Sequence, residues 1–203
     1  MNVVRFHDCD VQPGKVVCIG RNYVEHISEL SNEIPELMVV FVKPNSSISD
    51  TLRARHGEPL HYEGEICFLM QEGHIAGVGF GLDLTKRELQ SYLKRKGLPW
   101  ERSKAFDGSA VFSPFVPFDG DLADLTLELQ INQERIQSGG VEQMMFPPLK
   151  ILAELESFMT LADGDIVMTG TPKGVGEIKP GDHFLGRILY RDTLLVQKEW
   201  TAI

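Results

Sequence analysis

Two glutamates two positions apart, Glu63 and Glu65, stand in the segment His61-Tyr62-Glu63-Gly64-Glu65, directly before the apolar run Ile66 to Met70. The run closes at Gln71-Glu72-Gly73, so it predicts one buried strand ended by a turn. Residues two apart on a strand point to the same face, which sends both carboxylates into one place. Buried together they repel, and each costs several kcal/mol or takes up a proton unless something cationic is there. A hard divalent cation, Mg²⁺ or Mn²⁺, removes both costs because it takes carboxylate oxygens. Taken alone, Glu-x-Glu also fits an ordinary solvent-facing strand edge.

A third carboxylate sharpens the choice. Gly77-Val78-Gly79-Phe80-Gly81-Leu82 runs into Asp83-Leu84-Thr85. An apolar strand ending in Asp-x-Thr offers Asp83 or Thr85 as the N-cap of a following helix. With Thr85 as the cap, Asp83 is left as a third metal ligand on a neighbouring strand. Further along, Thr169-Gly170-Thr171-Pro172-Lys173-Gly174-Val175-Gly176 is rich in exposed backbone N–H groups. It lacks the Gly-Lys-Ser/Thr of a nucleotide phosphate loop. A nest for a substrate carboxylate, with Thr171 as side-chain donor, fits it better, against the alternative of a purely structural turn.

The elements that must position these groups are short. Strands are predicted at Val3 to Phe6, Lys15 to Ile19, Leu37 to Val42, the Glu-x-Glu run, and Gly77 to Leu82. Val111 to Phe118 carries prolines and reads as an edge or irregular strand. Leu125 to Ile131 alternates as a half-buried strand and turns at Asn132-Gln133 into a hairpin. Gly139-Gly140 reads as a flexible break. Ile166 to Met168 is another buried strand, and Phe184 to Leu189 with Leu194 to Trp200 form a closing hairpin across Arg191-Asp192. Arg21 to Leu30 is a short polar helix candidate with His26 and Glu29 on one face, which alone reads as a solvated surface. Thr85 to Lys96 is the clearest helix, stopped by Gly97, and Pro147-Pro148 opens another over Leu149 to Phe158. Asp50 to Glu58 reads as a surface loop. Irregular succession of strands and helices argues against a doubly wound sheet and for a mainly β, α+β domain.

The 203 residues suit a single domain with a sizeable core, and the net charge of -9 disfavours nucleic acid or anionic membrane as partner. The start lacks the apolar centre of a signal peptide, and no run reaches the length of a membrane span, so a cytoplasmic protein is expected. Cys9, Cys18 and Cys67 form neither a zinc pattern nor a disulfide framework, and Cys67 is expected in the core.

Taken in order, Gly20-x-Asn22-Tyr23 with His26 and Glu29, Phe41-x-Lys43-Pro44, His61-Tyr62-Glu63-x-Glu65, Leu82-Asp83-Leu84-Thr85 and the Thr169 to Gly176 loop resemble the fumarylacetoacetate hydrolase family. Lys96-Gly97-Leu98-Pro99-Trp100 before Lys104-Ala105-Phe106 resembles its short acylpyruvate hydrolase and oxaloacetate decarboxylase branch. The likeness runs from about Lys15 to the C-terminus. It implies a mixed β-sandwich roll with a few short helices, a homodimer, and one Mg²⁺ or Mn²⁺ per subunit on Glu63, Glu65 and Asp83. It implies a small 2-oxo or 2,4-diketo acid substrate and a lid over about Asn22 to Pro35. There His26 and Glu29 become a water-activating dyad, reversing the plain reading of that helix. Lys104 is the candidate stabiliser of developing charge, against a surface ion pair. Arg21, Lys43, Arg87, Gln90 and Thr171 are the candidate substrate contacts. The chain departs from the family pattern at Gly64, where an apolar side chain is usual, in the short stretch between Glu72 and Gly79, and at Val141.

The chemistry implied first is hydrolysis of the carbon–carbon bond of an acylpyruvate. His26 would take a proton from water, and pyruvate would leave as an enolate whose charge the metal carries. The alternative at the same site is decarboxylation or keto–enol tautomerisation of oxaloacetate, which needs no attacking water. A metal-binding protein without catalysis is the third reading. The products separate the three.

Overall fold

The structure is a computed structural model and describes residues 1–24 and 36–203. A small hairpin, β1 (Val4–Phe6) and β2 (Cys9–Val11), precedes β3 (Lys15–Gly20) and β4 (Val39–Pro44). β3 is buried along Val16 to Ile19, as a run apolar on both faces requires of a central strand. The stretch expected as a surface loop holds the hairpin β5 (Arg55–His56) and β6 (Glu58–Pro59), yet Leu52 and Ala54 are buried. Their backbones bond Ile203 at the C-terminus. The interleaved Thr51, Arg53 and Arg55 made this alternation look like a charged loop.

β7 (His61–Tyr62) leads into β8 (Gly64–Gln71), which turns at Glu72-Gly73 directly into β9 (His74–Asp83) with no helix between them. α1 (Arg87–Lys96) follows, ending on Gly97 at φ 63°, the left-handed cap expected there. It starts two residues later than predicted. α2 (Glu101–Lys104) is a single turn missed by the sequence reading. The proline-bearing stretch forms β10 (Ala110–Phe112) and β11 (Val116–Pro117), both on β9. β12 (Leu125–Ile131) and β13 (Glu134–Gly140) are the predicted hairpin, with Asn132 and Gln133 at φ 52° and 71° as a two-residue turn demands. Gly139 and Gly140 are no break. They pair with Leu127 and Thr126 and are buried. A side chain at Gly139 would sit 2.8 Å from Pro172, so the glycine serves close packing.

α3 (Pro148–Glu156) starts at its proline, and Ile151 and Leu155 are fully buried. Each contributes about 1.5–3 kcal/mol. β14 (Ile166–Met168), β15 (Gly176–Glu177), β16 (His183–Tyr190) and β17 (Thr193–Thr201) complete the described strands. One sheet runs β10-β9-β8-β14-β3-β4 with β11 also on β9, and a second runs β13-β12-β16-β17. β14 is parallel to β3 and antiparallel to β8, which makes the first sheet mixed. Between the sheets lies a core that includes Phe80, Leu127, Phe184, Ile188 and Trp200. The architecture is the mainly β, α+β sandwich with short helices that the sequence predicts.

Candidate active site

The β8–β9 register builds the acidic cluster. Gly64 pairs with Leu82 and Glu65 with Gly81, and the Asp83 amide donates to the Glu63 carbonyl at 2.9 Å. Glu63 sits in the break between β7 and β8, Glu65 is the second residue of β8, and Asp83 ends β9. Their carboxylate oxygens lie within 4.8 Å of one another. All three are buried, at 6%, 2% and 1% exposure. The solvent-facing edge is therefore excluded. Thr85 does not cap α1. The N-cap is Lys86, without a side-chain bond, while the Thr85 hydroxyl accepts from Lys104 and donates to the Asp83 carbonyl.

Among the described residues, three cations reach the cluster. The Lys104 ammonium donates to Glu63 Oε2 at 2.8 Å, Asp83 Oδ2 at 2.7 Å and Thr85 Oγ1 at 2.6 Å. Its side chain is 3% exposed, so it is not a surface ion pair. Burial alone would lower its pKa, but Asp83 and Glu63 outweigh that and raise it. Arg87 bonds Glu63 Oε1 and, at 2.8 Å, Gln90 Oε1. Lys43 stands behind Asp83. It pairs with Asp83 Oδ1 at 2.8 Å and donates to the Lys104 and Ser109 carbonyls and the Ser109 hydroxyl. It is fully buried and does not line the cavity, so its place is that of a support for Asp83 rather than a substrate contact. Glu65 differs from its two neighbours. Among the described residues it has no ion pair, and it accepts the Gly170 amide at 2.7 Å. Burial, then Asp83 and Glu63, push its carboxyl well above the usual range. A crowded, oxygen-only, buried donor set of this kind fits a hard divalent cation.

A small cavity of about 30 Å³ opens on the cluster, lined also by Gly20, Arg21, Phe41, Arg87, Gln90, Lys94, Trp100 and Thr171. Arg21, Arg87, Gln90 and Thr171, four of the five candidate substrate contacts, thus line one cavity beside the acidic cluster. Lys94 and Trp100 were missed. The signal was present, because Arg87, Gln90 and Lys94 follow helical spacing on one face of α1. Burial, then Arg21 and Arg87, lower the Lys94 ammonium to about 8. Asn22, at the start of the expected lid, is buried and anchored to Phe146 in both directions and to the Thr169 carbonyl. His26 and Glu29 lie outside the described residues.

Known proteins match this arrangement over most of the chain. The model of the fumarylacetoacetate (FAA) hydrolase C-terminal family matches residues 15–189. The oxaloacetate tautomerase YcgM of Escherichia coli (strain K12) is 40% identical over 192 residues, covering 85% of this chain and 87% of that protein. The mitochondrial oxaloacetate tautomerase FAHD1 of Bos taurus is 36% identical over 184 residues, covering 82% and 83%. Among solved structures, fumarylpyruvate hydrolase from Pseudomonas aeruginosa, in complex with Mn²⁺ and pyruvate, superposes with a TM-score of 0.89 at 29% identity, covering 100% of this chain and 95% of that one. The family match spans the first sheet, the second sheet except β17, and the acidic cluster, and the chain belongs to the fumarylacetoacetate hydrolase family of enzymes.

Proposed function

We propose that this enzyme interconverts the keto and enol forms of oxaloacetate, with Mg²⁺ or Mn²⁺ on Glu63, Glu65 and Asp83. The observation that carries the reading is the cavity's lining. Glu63, Glu65 and Asp83 line it together with the cations Lys104, Arg21, Arg87 and Lys94, which put positive charge around the same small space. Such a site suits a compact 2-oxo acid with two carboxylates. The names of the bacterial and bovine relatives support tautomerisation over the carbon–carbon hydrolysis that the resemblance first suggested.

A divalent cation bound by the three carboxylates would supply Lewis acidity toward the 2-oxo group. Tautomerisation itself moves a proton. The C3–H bond breaks, its electron pair becomes the C2–C3 double bond, and the oxygen on C2 gains a proton. The Lys104 ammonium, held beside Glu63 and Asp83, stabilises the charge building on that oxygen by its own positive charge. Arg21, Arg87 and Lys94 hold the carboxylates, with Thr171 as a further donor, and Lys43 keeps Asp83 in place. His26, oriented by Glu29, carries the proton between carbon and solvent. That assignment rests on the sequence. A homodimer in the cytoplasm, each chain one catalytic domain, completes the reading. Among the described residues no helix is long and apolar enough to cross a membrane.

Hydrolysis of an acylpyruvate is the second reading, favoured by the likeness to fumarylpyruvate hydrolase. It would use His26 to activate water. The two separate when enolic oxaloacetate, acetylpyruvate and fumarylpyruvate are each incubated with the enzyme and Mg²⁺ or Mn²⁺. Rapid loss of enol absorbance without release of CO₂ is expected. Pyruvate plus a carboxylic acid from an acylpyruvate, with no effect on the enol, would replace tautomerase by hydrolase. CO₂ plus pyruvate would make it a decarboxylase. His26→Ala should slow the proton transfer by about 10²–10⁴-fold.

A further inference from the structure

We propose that Gln137 is a positioning residue whose two carboxamide ends separately set the metal strand and the substrate loop. Gln137 comes from β13, in the second sheet, and is 1% exposed. Its Oε1 accepts the Gly64 amide at 2.9 Å, between Glu63 and Glu65. Its Nε2 donates to Thr171 Oγ1 and to the Pro172 carbonyl, both at 2.9 Å, with a longer contact to the Lys173 carbonyl at 3.4 Å. The orientation of the amide is dictated by its partners, since a flip would set N–H against N–H and oxygen against carbonyls.

The surroundings are shaped for this clamp. A Cβ on Gly64 would lie 2.9 Å from Gln137 Oε1 and 3.0 Å from the Phe80 ring, so in this chain the glycine gives the carboxamide room to approach the strand. That accounts for the small residue between the two glutamates. Gly174, at φ +99°, would bring a Cβ within 2.4 Å of the Ile136 carbonyl and 3.2 Å of Gln137 Cγ, so the loop lies flat on β13. Gln137 therefore joins three segments that are far apart in sequence: the strand that carries Glu63 and Glu65, the loop that carries Thr171, and the second sheet. A buried amide that only filled space would leave binding unchanged once the fold was intact. One whose ends each fix a different wall should split metal binding from substrate binding.

This inference rests on the proposed site and is tested without turnover. Mn²⁺ affinity would be measured by calorimetry on the full chain, and pyruvate affinity on the Mn²⁺-loaded chain, for wild type, Gln137→Glu, Gln137→Met and Gly64→Ala. Gln137→Glu keeps the acceptor for Gly64 but turns a carboxylate toward the loop carbonyls. It should leave Mn²⁺ affinity within about threefold and weaken pyruvate by about tenfold. Gln137→Met loses both ends and should weaken Mn²⁺ about tenfold as well. Gly64→Ala, which pushes Oε1 away, should weaken Mn²⁺ with native melting behaviour, and it carries the test if Gln137→Met does not fold. Unchanged Mn²⁺ and pyruvate affinities in folded variants would overturn the proposal. So would losses in Gln137→Glu that are equal for both ligands. Wild type that binds Mn²⁺ and pyruvate yet leaves oxaloacetate untouched would refute the tautomerase reading and leave Gln137 testable.

Discussion

Two buried aspartates, Asp165 and Asp83, show what separates a structural ion pair from a site. Asp165 is fully buried before β14 and, among the described residues, is held by donors. It accepts the Lys15 amide at 3.0 Å, the Ala162 amide at 2.8 Å and the Lys15 ammonium. The Lys15 side chain is 28% exposed, and its ammonium also donates to the Thr160 carbonyl at 2.9 Å. Asp83 is equally buried and holds Lys43 and Lys104, but it lies within 4.8 Å of two further carboxylates. Burial of charge is common to both. Crowding of like charge, which costs folding free energy that a purely structural motif has no reason to bear, belongs only to the second.

The largest effect should come from relieving that crowding. Glu65→Gln removes the carboxylate that has no ion pair among the described residues, so the metal-free protein should melt at a higher temperature. The same variant should lose more than about 100-fold in Mn²⁺ affinity and essentially all metal-dependent turnover. Calorimetry with and without chelator reads both. A variant that melts lower and still binds Mn²⁺ would erase the contrast with Asp165.

Asp165→Asn should do the reverse. Losing the ion pair that ties β3 to the β14 approach costs about 1.5–3 kcal/mol, a fall of roughly 3–12 °C in Tm for a chain of this size. Metal affinity should not change. Thermal melts at matched pH, with and without Mn²⁺, would show a lower curve with its metal-induced rise intact.

The smallest expected effect is at the cavity wall. Lys94 is lowered to about 8 by burial and by Arg21 and Arg87. The folded chain therefore gives up this proton at lower pH than the unfolded chain, whose lysine keeps its ordinary value. Between about pH 8 and that value the unfolded state binds more protons, so Lys94 adds a rise of stability with pH in that window. Substrate binding goes the other way. KM for a dianion should climb as pH passes about 8 and a positive charge is lost. Lys94→Gln should raise KM at pH 7 by about tenfold, flatten the pH profile of KM and leave kcat nearly unchanged. A wild-type KM that is flat across pH 8 would remove Lys94 from substrate binding.

The primary sequence determined the local parts of this protein. The Glu63–Glu65 spacing on an apolar run, Asp83 at a strand end, the two-residue turn at Asn132-Gln133 and the proline start of α3 are all set by neighbours, through strand period, turn geometry and helix caps. Tertiary structure decided which groups meet. Thr85, a reasonable cap from its neighbours, gives its hydroxyl to Lys104, and Lys43 faces the back of Asp83 rather than the cavity. Leu52 and Ala54 are buried because the C-terminal residue folds back on them. Gln137 carries no local mark at all. Its partners are Gly64 and the Thr171 loop, and only the apposition of two sheets brings a carboxamide on one to an amide of the other and to a hydroxyl in the loop after β14. Periodicity along a chain reports which face is buried. It is silent on contacts between segments distant in sequence, and those contacts decide whether a buried polar group is a cap, a support or part of a site.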